Sequence, residues 1–349
     1  MTHDWPLIRR PGRLVTHIAK DFFMQNGRRN VSLVAAFLLS AGSAACGGSE
    51  GSEGQTSSGA APLGQDPPTT LITAPGGTHL DQPARNKLDM CPRPGLAPQL
   101  TASTTPWVDG TTIDVSKIAF VPGSVTWKSE FTMTMTATGR VLVGNGLPNH
   151  PTGQYPIPKD SAAYSYYAAL PAMGYANAAE IPIAAYDINL TLPRDPQPNA
   201  KPSCVLWIFL GMVSQTGAAW HAEIAPDSSL KLHDPISALP LDDCWGHPYN
   251  TQYHYHAYSW KCFPNQGESS QHSPLFGYAI DGFGVFGPRG ESGKLVTNDE
   301  LDECHGHTHE IDWDGAKKVM YHYHVNNQYP YSIGCYRGTP IDLPKQLQN

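Results

Sequence analysis

Apolar and polar residues alternate strictly from Phe131 to Thr136, reading Phe-Thr-Met-Thr-Met-Thr. A period of two sends alternate side chains to opposite faces, so this stretch predicts a half-buried strand. Arg140–Val143 and Tyr186–Leu192 predict further strands. Val205–Met212 is a continuous apolar run and predicts a strand buried on both faces. Gly277–Gly287 reads Gly-Tyr-Ala-Ile-Asp-Gly-Phe-Gly-Val-Phe-Gly and predicts two short strands about a glycine turn. Ala162–Ala179, rich in Ala and Tyr, predicts a short helix that Pro171 and Gly174 keep from extending. The 349 residues include 33 Gly and 32 Pro, a content that argues against a helical bundle. The expected fold is a single mainly β, loop-rich, disulfide-stapled domain with minor helix, like a β-sandwich. It spans residues 90–344, before a short tail at 345–349.

The N-terminal pattern differs. Arg28 and Arg29 precede an apolar stretch, Val31–Leu39, too short to span a bilayer. Small residues Ser40 to Ala45 lead to Cys46. Basic, apolar and small-residue regions in this order predict that residues 1–46 are a secretory signal peptide, starting at Met1 or Met24. Ser43-Ala-Ala-Cys46 resembles a lipobox, which predicts a lipid anchor at Cys46 and an extracytoplasmic, membrane-attached lipoprotein. Ser43 stands where Leu is usual, so plain cleavage and secretion is the alternative. Residues 47–89 open Gly-Gly-Ser-Glu-Gly-Ser-Glu-Gly and continue rich in Ser, Thr, Pro and Gly, as a flexible tether does. Without residues 1–46 the chain carries 17 basic and 28 acidic side chains, a net charge of −11. That balance argues against nucleic acid as a partner and suits cations.

An internal repeat carries the chemistry. The first copy is Leu241-Asp-Asp-Cys-Trp-Gly-His247, then Tyr253-His-Tyr-His256, then Cys262. The second is Leu301-Asp-Glu-Cys-His-Gly-His307, then Tyr321-His-Tyr-His324, then Cys335. Two copies in one order predict two similar half-sites.

These residues resemble the YHYH domain, found in secreted proteins and named for the tetrapeptide. The resemblance extends to Asn145-Gly-Leu-Pro-Asn-His150 with Gly153-Gln-Tyr-Pro156, and to Gly277-Tyr-Ala-Ile-Asp-Gly282. It ends at Tyr329-Pro-Tyr331 and Gly334-Cys-Tyr-Arg-Gly338. Ser214-Gln-Thr216 departs from the Asn-Gly-Val-type segment of many relatives. The resemblance implies an exported domain, with no catalytic residue set to carry over.

In a strand, residues two apart share a face, so His254 joins His256 and His322 joins His324. Each pair can converge on one ion, and His247 and His307 are the natural third ligands. The expected cofactor is a transition metal, Cu or Zn, lost below about pH 6 as imidazole protonates. His305 and His309 read as a solvated polar loop, and His221, His233 and His272 as surface residues. His150 reads as a turn residue, to which the resemblance adds a site-lining role. Asp281, Glu303 and Asp243 are the candidate catalytic carboxylates. The bland reading of Asp281 is a hairpin turn. Asp243 and Glu303 are equally suited to capping a helix or orienting a His ring.

Seven cysteines occur, and lipidation of Cys46 leaves six, an even count that predicts three disulfides. The repeat suggests Cys244–Cys262 and Cys304–Cys335, which leaves Cys91–Cys204. No Gly-x-Ser-x-Gly nucleophile elbow, His-Glu-x-x-His helix or phosphate loop is present, the string Gly47-Gly-Ser-Glu-Gly51 falling within the tether. Three functions remain. They are a metal-dependent enzyme (hydrolase or copper oxidoreductase), a metal buffer, and a carbohydrate- or protein-binding module lined by Tyr and Trp.

Overall fold

The computed structural model describes residues 70–72, 107–109, 112–168, 179–205, 210–221, 225–226, 232–233, 235–263 and 270–347. The leader, Cys46, residues 47–69 of the tether and Cys91 lie outside the described residues, as does 206–209 of the predicted apolar strand. The described residues are mainly β, with two short α-helices, Ala162–Ala168 and Pro235–Ala238.

A small antiparallel meander holds β1 (Phe131–Met135), β2 (Gly139–Gly144) and β3 (Ile188–Pro193). β3 alternates as its sequence does: Ile188, Leu190 and Leu192 are buried while Asn189 and Thr191 face solvent. β1 forms where alternation predicts it, yet Met133 and Met135 are exposed. It is the outer strand of the meander, and of the face that the pattern assigned to a core only Phe131 packs against the buried residues.

The main sheet has eight strands. They are β4 (Leu210–Ser214), β5 (Ala219–His221), β6 (Gly246–Tyr249), β7 (Gln252–Tyr255), β8 (Leu275–Ala279), β9 (Gly284–Phe286), β10 (Gly306–Trp313) and β11 (Ala316–His324). Their order across the sheet is β6-β7-β5-β4-β8-β9-β11-β10. Only β7/β5 and β9/β11 pair in parallel. The order is the same read from either end, with β4 and β8 antiparallel at the centre.

The duplication is therefore larger than the Cys/His repeat. Each half is a hairpin (β4–β5 or β8–β9) followed by a second hairpin (β6–β7 or β10–β11). The register keeps the symmetry. His254 pairs with Ala219, Ala219 with Val213, Val213 with Tyr278, and Tyr278 with Gly284. Val285 pairs with Tyr323, which brings His322 to the equivalent row. Side-by-side residues point to one face, so both histidine pairs project from the same side of the sheet. Five strand spacings lie between β7 and β11, about 24 Å along the sheet.

The outer hairpins turn through two residues with positive φ, Asn250 and Thr251 in one and Asp314 and Gly315 in the other. That pair of angles is the type I′ turn, whose twist matches that of paired strands. The tip of the β10–β11 hairpin reaches the meander. Arg140, fully buried on β2, donates to Asp314 at 3.0 Å and lies 4.2 Å from the Tyr278 ring centre and 4.8 Å from that of Trp313. Arg194 donates to the other Asp314 oxygen at 2.9 Å.

Candidate metal centres

The first acid of each repeat builds the turn that delivers a histidine. Asp242 Oδ1 accepts from the backbone N–H of Cys244 (2.9 Å) and Gly246 (3.1 Å) and from the Tyr253 hydroxyl (3.0 Å). Asp302 Oδ1 accepts from Cys304 N–H (2.9 Å), Gly306 N–H (3.1 Å) and the Tyr321 hydroxyl (2.9 Å). Burial pushes the Asp242 carboxyl up to about 6, against the pull of these donors. Trp245 and His305 take positive φ at the same place in each turn. A Cβ on Gly246 or Gly306 would collide with Tyr253 or Tyr321. Glycine therefore lets the chain pass under the tyrosine, and the next residue enters its strand as His247 or His307. The register then sets His247 against His254 and His307 against His322. Disulfides Cys244–Cys262 and Cys304–Cys335 staple the two turns. Cys204 is also disulfide-bonded, while Cys91 lies outside the described residues.

In the first half, His247, His254 and His256 are buried and their ligand atoms lie within 4.8 Å of one another. His256 Nε2 is 3.0 Å from His254 Nε2 and 3.2 Å from His247 Nε2. His254 Nδ1 donates to the Gln252 carbonyl at 3.1 Å, which leaves its Nε2 as an acceptor. The His256 N–H is therefore the proton that lies between them. His221 on β5 stacks on His254, with ring centres 3.7 Å apart and planes 11° apart.

In the second half, His272, His307, His309, His322 and His324 gather with ligand atoms within 4.8 Å of one another. A carbonyl accepts but cannot donate, so each Nδ1 that meets one carries the proton. His324 donates to Gly287 O at 2.6 Å, His272 to Ser273 O at 2.7 Å, His309 to Glu310 O at 3.0 Å and His322 to Met320 O at 3.2 Å. Their Nε2 atoms then bear lone pairs, the form in which imidazole ligates metal, and that of His309 accepts from His307 Nε2 at 3.0 Å. The Nε2 atoms of His272, His322 and His324 are buried with no hydrogen-bond partner among the described residues. Burial holds these rings neutral, with pKa values pushed down to about 4 for His254, His272 and His307 and to about 2 for His322. Neighbouring imidazoles add to the effect at His272, His307 and His322.

Several expectations change. His221 is buried and His272 is half-buried in the second cluster, so neither is a plain surface residue. The side chain of His233 lies outside the described residues. His309 is on β10, not in a solvated loop. His305 is buried in its turn, bonding His324 O at 2.8 Å and Asn298 Oδ1 at 2.9 Å. His150 meets Tyr255 OH at 2.6 Å and so belongs to the tyrosine side of the sheet. The carboxylates proposed for catalysis lie apart from both clusters. Asp281 is buried, accepting from Tyr323 OH at 2.6 Å and Gly338 N–H at 2.9 Å, as part of a structural turn. Asp243 pairs with Lys261 at 2.9 Å, and Glu303 with Arg337 at 3.6 Å. Neither caps a helix or orients a ring; the preceding Asp242 and Asp302 hold the turns instead.

Comparison with known families matches residues 211–295 to YHYH protein. This chain carries a YHYH domain. The match runs from β4 past β9, so it holds the whole first cluster and His272 of the second. His307, His309, His322 and His324 lie beyond the matched residues. No curated protein and no solved structure matches the chain. Among the described residues, no helix is long and apolar enough to cross a membrane.

Proposed function

We propose that this YHYH domain binds transition-metal ions at two mononuclear sites. His247, His254 and His256 hold one ion, and His307, His322 and His324 are the core of the other. The observation that carries the reading is the set of imidazoles whose Nδ1–H groups are tied to carbonyls and whose Nε2 atoms converge. Histidine-only donor sets suit Zn and Cu. The separation of β7 from β11, about 24 Å along the sheet, supports two mononuclear sites over one dinuclear centre. Binding is favoured over hydrolysis, because Asp281, Asp243 and Glu303 are engaged elsewhere. An adhesive face built from the repeat tyrosines is disfavoured, because Tyr253, Tyr255, Tyr321 and Tyr323 are buried. In the same proposal the domain works outside the cytoplasm, tethered through residues 47–89 to a lipid on Cys46.

Protein purified without a metal-affinity step should take up two equivalents of Zn(II) by mass spectrometric elemental analysis. His256→Ala and His324→Ala should each lose one. Wild-type stoichiometry and affinity in both variants would show the ligand assignment to be wrong.

A further inference from the structure

The two clusters differ in ways that the repeat does not predict. The first is sealed: His247, His254 and His256 are buried, and His221 covers the ring of His254. His256 Nε2 also lies 3.0 Å from His254 Nε2 and 3.2 Å from His247 Nε2. An ion must displace the shared His256 proton to enter.

The second cluster is held ready. Three of its Nε2 atoms have no partner among the described residues, while their Nδ1 atoms are anchored to carbonyls; the other two, of His307 and His309, meet at 3.0 Å. It also opens outward. His272, His307 and His309 are only partly buried, whereas all three ligands of the first cluster are buried. Glu291, itself exposed, has Oε1 3.4 Å from His309 Nδ1 and places an acid at the mouth. The two extra ligands come from outside the repeat. Register makes His309 the counterpart of Tyr249, and His272 comes from the segment before β8. Register also makes Phe286 the counterpart of His221, so the second cluster lacks the stacked histidine cover.

We propose that the second cluster is an exchange site for a divalent first-row transition ion, and that the first is a retention site. The second accepts the ion first and returns it first to soluble ligands. His272 and His309 give an incoming or departing ion intermediate holds at the rim. Glu291 draws the cation to that rim. This division of labour rests on the metal-binding reading above.

Wild-type protein loaded with two equivalents of Zn(II) is mixed in a stopped-flow instrument with the chromogenic chelator 4-(2-pyridylazo)resorcinol. The expected result is two phases of equal amplitude, one ion leaving fast and one slowly. His256→Ala should abolish the slow phase and keep the fast one. The double variant His272→Gln with His309→Gln should weaken only the fast-exchanging ion, by about 10- to 100-fold, the range for removing groups that support a metal site. Far-ultraviolet circular dichroism confirms that each variant is folded. Two ions leaving in a single phase would overturn the division of labour and leave the metal-binding reading intact. So would loss of the fast phase in His256→Ala. A folded wild type that takes up no zinc overturns both.

Discussion

Chelator-treated protein should unfold as the pH falls from 6.5 to about 4. Burial holds the His254 ring neutral and moves its pKa from 6.5 down to about 4. The same cause drives His221, His247, His256 and His324 well below 6.5, and neighbouring imidazoles add to it. In the unfolded chain each ring takes its proton near 6.5. Between the two values the unfolded state holds more protons than the folded one, so acid favours unfolding. The stability contributed by neutral rings is complete above pH 6.5 and is lost on the way down to the folded pKa. His254 alone accounts for about 3 kcal/mol, at 1.36 kcal/mol per pH unit. Excess Zn(II) binds only neutral rings and should move the acid midpoint lower. Metal loss then begins below the pH 6 expected from an ordinary imidazole. Near-ultraviolet circular dichroism followed with and without zinc is the measurement. A metal-free protein that keeps its native signal to pH 3 would contradict the role of burial.

Asp314→Asn should destabilise the domain by about 3 kcal/mol, the scale for leaving a buried charge without its partner. Asp314 is the ion-pair partner of Arg140, whose Nε and Nη2 have no hydrogen-bond partner among the described residues. Asn tolerates the positive φ at this turn, so the change isolates the charge. Adding Arg140→Met should recover part of the loss, because the apolar stem still packs on Tyr278 and Trp313 while no charge stays buried. Urea unfolding midpoints test this. If the double variant is no more stable than Asp314→Asn, the ion pair is not what fixes the meander to the hairpin tip.

The strands around the glycine turn at Gly282 and the meander strands were legible because their alternation or flanking turns are local. So was each His-x-His face, which needs only the period of a strand. β10 was not, because Gly-His-Thr-His-Glu-Ile-Asp-Trp is an edge strand with one polar, solvated face and reads as loop. The dipeptide Asp314-Gly315 between Trp313 and Ala316 was the signal that could have found its hairpin. His221 and His272 had no local frame at all. One reaches its cluster through the parallel pairing of β5 with β7, the other from the segment before β8, and neither is visible along the chain. The turn acids were misassigned by one position. Asp242 and Asp302 recur identically, which marks them for a shared structural task, whereas Asp243 and Glu303 differ between copies and pair at the surface.

The separation of the two hairpins across five strand spacings has a consequence for how this domain can change. Free-energy effects of substitutions that share no partner and lie more than about 10 Å apart add. A ligand exchanged at one end therefore leaves affinity at the other untouched, and each end can be retuned for a different ion or a different rate. The contrasts between His221 and Phe286, and between Tyr249 and His309, are changes of the kind that such independence tolerates.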